Sequence, residues 1–382
     1  MTKHWRLCAI AILWLVIGCG ASPWQFHPRA AGLPGPSAIS LQAGRAAFFG
    51  DGDYFELVDG GAVRAIRGSR REFMNESHVA GLGNCWRHKI AVYDRGADVA
   101  CAHPRPGDTA LVELYRSDDK GRRFRKEPQQ LRVRSLSSNA DDGFNFWPGW
   151  YEERVPALPV SPPDDSDRSF ELVMAAGADG ALIVSGACES LSCRWPRVLY
   201  RQASGELADA TLPPLLDGLA GLVFSRDGRR AYALGVTPSQ DRYLVLVSDD
   251  RGRTFRARYN RPLEPGKGLK VLWAAVGHDE QVAFTIAYGS EPRILLLSED
   301  GASLSVVKPP HPTVWIAAAG QRAVAVLPGL RQAWEMLNGR DWQPLEIPSG
   351  ICPVESQCPE ALACFDWGCV ISSRLTRFGW GH

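Results

Sequence analysis

Eight cysteines after residue 20 fall in sequence-local couples, and their spacing indicates which chemistry they could perform. They are Cys85 and Cys101, Cys188 and Cys193, then Cys352, Cys358, Cys364 and Cys369. A structural zinc site would use closely spaced Cys-x-x-Cys couples, and the chain contains none. An even number of cysteines in local couples is typical of a disulfide framework. We predict one bridge in each of the first two couples and two bridges among the last four cysteines, with Cys364–Cys369 as the local pair.

Histidines and carboxylates give no pattern for a metal or a cofactor. The eight histidines show no i, i+2 or i, i+4 partnership with one another. The acidic stretches at 139–145 and 162–167 lack the alternating oxygen ligands of a calcium loop. We therefore predict no metal site and no cofactor.

An aromatic-rich insert at about 135–169 is the strongest candidate for a binding surface. It contains Phe146, Trp147, Trp150 and Tyr151 within a short segment. Aromatic planes of this kind suit sugar rings or a peptide. The alternative is that these side chains pack back on the fold as a plug over apolar surface.

The N-terminus predicts export and lipid attachment. A basic start is followed by a twelve-residue apolar run, which is shorter than the roughly 20 residues that a transmembrane helix needs. Residues 16–19, Val-Ile-Gly-Cys, resemble the bacterial lipobox, in which the signal is cut before a cysteine that then carries lipid. The resemblance implies a signal peptide at 1–18 and lipidation of Cys19. The alternative is an ordinary secretory signal in which Cys19 is incidental. Residues 19–37, rich in Gly, Pro and Ala, are predicted to be a tether.

Composition indicates an all-β protein without a nucleic-acid partner. Lys and Arg number 43 against 42 Asp and Glu, so no bulk positive charge attracts a polyanion. The 38 glycines and 27 prolines are typical of many tight turns between short strands.

One turn sequence occurs twice. Ser248, Asp250, Gly252, Thr254 and Phe255 follow the pattern S-x-D-x-G-x-T-F, and a second copy with Arg in place of Thr contains Ser117, Asp119, Gly121 and Phe124. Asp and Ser side chains can bond backbone N–H groups of their own turn, and Gly can take a positive φ. Related turn positions at 61, 121, 205, 252, 302 and 339 are separated by 60, 84, 47, 50 and 37 residues. A period of roughly 45 to 50 residues is that of a four-stranded propeller blade.

The repeated turn resembles the Asp box (BNR repeat) of sialidase-like β-propellers. The resemblance implies one all-β propeller domain over residues 38–382, built from four-stranded blades and closed by N- and C-terminal strands, with the N-terminal strand near residues 37–42. Seven blades are predicted, or six if the C-terminal strands complete the first blade. It also implies that the Asp boxes lie on the face away from the ligand.

The family's catalytic residues do not carry over to this chain. Arg67, Arg70 and Arg71 lie where sialidases have a carboxylate-binding arginine, but the family's Phe-Arg-Ile-Pro motif is absent. Tyr288 and Glu291 are the nearest match to the catalytic Tyr and Glu pair. We therefore expect a membrane-tethered module of the bacterial envelope that binds a glycan, a peptide or an envelope protein. The alternatives are a glycoside hydrolase and an assembly factor for an envelope complex.

Overall fold

The computed structural model describes the strands and many of their turns. The described residues are 24–28, 38–42, 45–50, 53–57, 63–66, 87–93, 96–105, 109–118, 124–136, 169–170, 172–177, 180–186, 197–214, 216, 218–237, 241–264, 269–288, 291–312, 314–327, 332–346, 361–364, 369–373 and 377–381. Among these residues, regular secondary structure is β-strand throughout.

Twenty-nine strands are defined in chain order. The first fourteen are β1 (Trp24–Pro28), β2 (Ala38–Gln42), β3 (Arg45–Gly50), β4 (Asp53–Leu57), β5 (Val63–Ile66), β6 (Arg87–Tyr93), β7 (Gly96–Arg105), β8 (Thr109–Ser117), β9 (Arg125–Leu136), β10 (Ser169–Phe170), β11 (Leu172–Ala176), β12 (Leu182–Gly186), β13 (Arg197–Arg201) and β14 (Leu207–Asp209). The others are β15 (Gly218–Phe224), β16 (Ala231–Val236), β17 (Arg242–Ser248), β18 (Arg256–Pro262), β19 (Leu269–Val276), β20 (Val282–Tyr288), β21 (Glu291–Leu297), β22 (Leu304–Val307), β23 (Trp315–Ala319), β24 (Arg322–Val326), β25 (Gln332–Met336), β26 (Trp342–Glu346), β27 (Ala361–Cys364), β28 (Cys369–Ser373) and β29 (Arg377–Gly381).

The described strands form antiparallel sheets that follow one another along the chain. The sheets are β2–β5, β6–β10, β11–β14, β15–β18, β19–β22, β23–β26, and β27–β29 with β1. Each is a meander of four strands, except that β10 adds a fifth to the second sheet. The first strands of consecutive sheets pack side by side, from β2 and β6 through to β23 and β27. This is the arrangement of a β-propeller.

The inner strands of the β15–β18 and β19–β22 sheets are apolar on both faces because a neighbouring sheet packs against each face. All seven residues of β20 are buried, and so are six of the seven in β17. The core between the β15–β18 and β19–β22 sheets contains Tyr232, Leu234 and Phe284. The outer strand β18 is instead almost wholly exposed. The inner strands β17 and β20 are therefore apolar, whereas the outer strand β18 is polar.

The N-terminal strands differ from the sequence-based expectation. Residues 38–42 form β2, the first strand of a sheet of its own, and do not pair with the C-terminal strands. Strand β1 instead pairs antiparallel with β29, with Trp24 opposite Gly381. The prediction of the closing strand near residues 37–42 is therefore wrong in position. Part of the predicted tether is a strand, because the outer edge of β29 offers main-chain partners to residues 24–28.

Two ends of the molecule are distinguished by their turns. We call the end that carries the turn between β17 and β18, residues 249–255, the Asp-box end. The turn between β15 and β16 lies at the same end, because alternate turns of a meander lie on the same side. The turn between β16 and β17 lies at the opposite end. Strand β9 is the fourth strand of its sheet, as β18 is, so it runs away from the Asp-box end and finishes at the opposite end. Leu136 at the end of β9 pairs there with Ser169 in β10, so both ends of the aromatic insert lie at that opposite end.

Candidate functional site

The Asp-box turn between β17 and β18 is held by its own side chains. The Ser248 hydroxyl donates to Asp250 Oδ1 at 2.7 Å and accepts the N–H of Gly252 at 2.8 Å. Asp250 Oδ1 also accepts the N–H of Thr254 at 2.7 Å. Burial alone would raise the pKa of Asp250, but these hydrogen bonds outweigh it and hold the pKa below its ordinary value. The carboxylate is therefore occupied in forming the turn.

The same serine and aspartate pairing occurs in two neighbouring turns. The Ser225 hydroxyl donates to Asp227 Oδ1 at 2.6 Å, and the Ser298 hydroxyl donates to Asp300 Oδ1 at 2.6 Å. The first turn joins the first and second strands of its sheet, and the second joins the third and fourth strands of the next sheet. All three turns lie at the Asp-box end. These carboxylates stabilise turns and are not placed around a cavity.

A buried ion pair connects two sheets at the Asp-box end. The two terminal nitrogens of Arg201 on β13 donate to the carboxylate of Asp98 on β7 at 2.6 and 2.7 Å. The side chains are only 3% and 2% exposed. Burial raises the pKa of Asp98, and the hydrogen bonds and charge of Arg201 oppose that shift. The pair lies between the β6–β10 and β11–β14 sheets, where it can stabilise their packing but cannot reach a ligand.

A cluster of tyrosine and arginine side chains lies at the opposite end, where the β15–β18 and β19–β22 sheets meet. We call it the Tyr–Arg cleft and define it by Tyr243, Arg261, Tyr288, Glu291 and Arg293. Tyr243 and Arg261 are opposite one another on β17 and β18, and Tyr288 and Glu291 are opposite one another on β20 and β21. Cross-strand neighbours share a face of their sheet. Tyr243 and Tyr288 both belong to the apolar core between these two sheets.

The contacts of the cleft orient one guanidinium group. The Arg293 guanidinium lies over the Tyr288 ring, 4.4 Å from its centroid, and donates to Glu291 Oε2 at 2.9 Å. Its Nε is buried and has no hydrogen-bond partner among the described residues. The hydroxyl oxygen of Tyr288 accepts the backbone N–H of Glu264. Stacking on an aromatic ring restricts the side chain, so that the guanidinium group of Arg293 is held in one orientation and its Nε–H is not used in a hydrogen bond among the described residues.

A second guanidinium group approaches the cleft from the other sheet. Arg261 lies 5.7 Å from the centroid of the Tyr259 ring on the same strand. Burial raises the pKa of Tyr243, and the positive charges of Arg261 and Arg293 oppose the shift, so both arginines act on the same phenol. At neutral pH the cleft therefore contains a neutral Tyr hydroxyl, two guanidinium cations and the Glu291 carboxylate, so that the cations outnumber the anion. This chemistry suits recognition of a carboxylate or another anion.

The Tyr288 and Glu291 pair is already engaged within the protein. Tyr288 is only 5% exposed, and its hydroxyl is bonded to the main chain. The Glu291 carboxylate is paired with Arg293. The two residues therefore orient Arg293 and close one side of the cleft.

Several sequence-predicted site residues lie outside the described residues. These are Cys19, the arginines Arg67, Arg70 and Arg71, and the aromatic residues Phe146, Trp147, Trp150 and Tyr151. In the first copy of the repeated turn, Asp119 and Gly121 also lie outside them, while Ser117 and Phe124 are described and buried. The structure thus describes one predicted Asp box fully and the other in part.

The cysteines that the structure describes are buried and oxidised. Cys364 and Cys369 form a disulfide across the β27–β28 hairpin, which confirms the predicted local pair. Cys101 is also disulfide-bonded and fully buried in β7. The remaining members of the predicted couples, Cys85, Cys188, Cys193, Cys352 and Cys358, lie outside the described residues.

The described part of the chain contains neither a metal-binding cluster nor a membrane-spanning helix. Within it, no group of three or more His, Cys, Asp or Glu side chains is placed to hold a metal ion. Across the same residues, no helix is long and apolar enough to span a membrane.

Sequence reasoning missed the cleft and the buried ion pair for different reasons. Asp98 and Arg201 are 103 residues apart, and no local pattern marks either residue. The sequence did draw attention to Tyr288 and Glu291, but as a catalytic pair. The available sequence signals for the cleft were Glu291 and Arg293, which lie two residues apart on one strand, and the three arginines of β18.

Comparison with known proteins gives remote likenesses. No protein-family model matches the chain, and no curated protein matches it. Among solved structures, it is similar to oligogalacturonate lyase from Vibrio parahaemolyticus, with 11% identity, 94% of this chain and 96% of that chain covered, and a TM-score of 0.46. The WD40 β-propeller domain of Doa1 has 9% identity, 94% and 97% coverage and a TM-score of 0.43. TolB from Acinetobacter baumannii has 11% identity and a TM-score of 0.41, with 73% of this chain covered and only 55% of TolB spanned. At these scores the likenesses bear on no activity.

Proposed function

We propose that this protein is an extracytoplasmic binding module, a closed seven-bladed β-propeller that a lipid on Cys19 holds at the bacterial envelope. Its ligand is an anionic group of a glycan, a peptide or an envelope protein. The observation that carries the proposal is the Tyr–Arg cleft at the end away from the Asp boxes, in which Arg293 stacks on Tyr288 and Arg261 lies opposite Tyr243 on the neighbouring strand.

The strand pairing supports a ring of seven blades. Each sheet packs on the next through its first strand, in the order β2, β6, β11, β15, β19, β23 and β27. The last sheet takes three strands from the C-terminus and its fourth, β1, from the N-terminus. A sheet shared by both ends of the chain is how a propeller joins its last blade to its first.

The position of β1 supports a proposed orientation at the membrane. As the fourth strand of its sheet, β1 corresponds to β18, which starts directly after the Asp-box turn. Trp24, the first residue of β1, therefore lies at the Asp-box end. Five residue steps separate Trp24 from Cys19, and extended chain covers at most about 18 Å over that length. A lipid on Cys19 would hold the Asp-box end near the bilayer, and the Tyr–Arg cleft would face away from it.

We expect Cys19→Ser to release the protein from the membrane, because the acyl chains on that cysteine would supply its affinity for the bilayer. Membrane and soluble fractions of the producing cells are compared by immunoblotting. Cys8→Ser, which changes a cysteine inside the predicted signal, is the matched control and should leave the protein in the membrane fraction. Retention of the Cys19→Ser variant in membranes would contradict lipid attachment at this position.

We expect Arg261→Gln and Arg293→Gln to weaken binding of anionic ligands about 10-fold or more, since a charge-assisted hydrogen bond contributes roughly 1.5–3 kcal/mol. Titrations use acidic oligosaccharides and acidic peptides, with neutral counterparts of equal length. Arg229→Gln is the control, because Arg229 is an exposed arginine of the same sheet at the Asp-box end. Unchanged affinity in both cleft variants would exclude the cleft as the ligand site. Cleavage of a bound oligosaccharide would favour a glycoside hydrolase instead.

The aromatic insert belongs to the same proposal as a second binding element. Its two ends are paired at the end of the molecule that carries the cleft. We propose that Trp147 and Trp150 add apolar contacts to a ligand held by the arginines.

A further inference from the structure

The outer strand β18 has the features of a docking edge. It is the last strand of its sheet and has a strand neighbour, β17, on one side only among the described residues. Six of its seven residues are exposed, and the seventh, Tyr259, is half-buried. An edge strand presents unpaired N–H and C=O groups to which another extended chain can add.

Length and sequence distinguish β18 from the other outer strands. Strands β5, β14 and β22 have only three or four residues, and β26 has five residues that include Pro344. The twelve-residue β9 is longer but is already paired with β10. Short edges are protected against strand addition, and so are edges with Pro inside the strand. Pro344 lies in the middle of β26, whereas Pro262 is the last residue of β18 and leaves residues 256–261 without a proline. Among the described outer strands that pair on one side only, β18 offers the longest edge.

The charges of β18 indicate which kind of strand it accepts. The strand contains Arg256, Arg258 and Arg261 and no carboxylate. Among the described residues, Arg256 has no hydrogen-bond or ion-pair partner, and the one ion pair of Arg258 is with Asp249, at 3.9 Å. Arg256, Tyr259 and Arg261 are opposite Val247, Val245 and Tyr243, so that the three side chains share one face. An added strand with carboxylates at alternate positions would pair with these arginines across the strands.

We propose that β18 binds an extended acidic peptide segment of an envelope protein by strand addition. The partner carries Asp or Glu at alternate positions. Main-chain hydrogen bonds to the β18 edge give affinity, and the guanidinium groups of Arg256 and Arg261, which share one face of the strand, give selectivity for acidic sequences. This inference rests on the proposed binding function and names the class of partner. A second copy of the protein is a poor occupant, because two arginine-rich edges repel each other.

The test uses the full chain and a synthetic nine-residue peptide with Asp at alternate positions and Thr or Val between them. We expect saturable binding by fluorescence anisotropy and slower hydrogen exchange of the amides in residues 256–261. Two control peptides are used: the same sequence with N-methylated backbone amides, and one with Lys in place of Asp. Both should bind at least 10-fold more weakly. Arg256→Glu should weaken binding of the acidic peptide about 10-fold, whereas Arg229→Glu should leave it unchanged.

Three results would overturn the inference. The N-methylated peptide could bind as well as its parent, Arg256→Glu could have no effect, or the protected amides could lie outside β18. The third result would also be seen if the β18 edge were already occupied in a dimer of the protein. If Arg293→Gln abolishes peptide binding while Arg256→Glu does not, the proposed cleft is supported and the edge inference fails. If neither acidic peptides nor acidic oligosaccharides bind, both fail.

Discussion

Replacing Arg201 with Met is expected to lower the free energy of unfolding by about 3–5 kcal/mol, because it leaves the buried Asp98 carboxylate without its counter-charge. Both hydrogen bonds from the guanidinium to Asp98 are lost, at 2.6 and 2.7 Å. A Met side chain fills much of the space but donates nothing. Urea unfolding followed by Trp fluorescence gives the change in stability.

The same strand supplies a matched control. Arg197 on β13 pairs with Asp209 at 2.8 Å, but these side chains are 39% and 67% exposed. Water solvates such charges when the pair is broken, so Arg197→Met should cost less than about 1 kcal/mol. Equal losses in the two variants would contradict the role of burial.

A compensating variant separates an unpaired charge from lost packing. Arg201→Met with Asp98→Leu removes both members of the fully buried ion pair, and replacement of such a pair by apolar side chains is often neutral. The carboxylate that remains nearby, Glu127, lies 3.8 Å from the guanidinium in the native protein and is 11% exposed. The Nε of Arg201 has no hydrogen-bond partner among the described residues, so the native pair does not satisfy every donor. We expect the double variant to recover most of the stability that Arg201→Met loses. No recovery would show that shape, and not charge, makes this position sensitive.

Replacing Gly252 with Ala is expected to cost roughly 2–4 kcal/mol, through left-handed backbone strain and overpacking together. Gly252 has a φ of 88°, which side chains other than that of Gly rarely allow. A Cβ at this position would lie 2.2 Å from Cδ1 of Ile183, a fully buried residue of the neighbouring sheet. Denaturant unfolding again provides the measurement.

Gly205 separates these two causes. It has nearly the same φ, 91°, but the nearest atom to an added Cβ is 3.8 Å away on the flexible side chain of Arg116. Gly205→Ala should therefore carry only the backbone term, about 1–2 kcal/mol. If both substitutions cost the same, the close approach of the Asp-box turn to Ile183 does not contribute.

The contrast between Gly205 and Gly252 shows which properties of a turn glycine can be predicted from the sequence. That each is a turn glycine could be predicted from its position after a strand-like run, because a tight turn needs a residue that tolerates positive φ. The contact of Gly252 with the next sheet could not be predicted, because Ile183 comes close to Gly252 only when the sheets pack. The hairpin disulfide Cys364–Cys369 was predictable for the same reason as the turns, since both partners lie five residues apart.

Local information determined the all-β class, the turn at Ser248–Asp250 and the Cys364–Cys369 bridge, because each depends on residues close together in the chain. The tertiary structure alone decided that residues 24–28 pair with β29, that Asp98 meets Arg201, and that Arg261 and Arg293 approach one phenol. These contacts join residues that are far apart in sequence, and their partners are chosen by which sheet edges and faces become neighbours. The strength of the charged contacts is also a tertiary property, because the free energy of an ion pair depends on how completely the surrounding sheets exclude water.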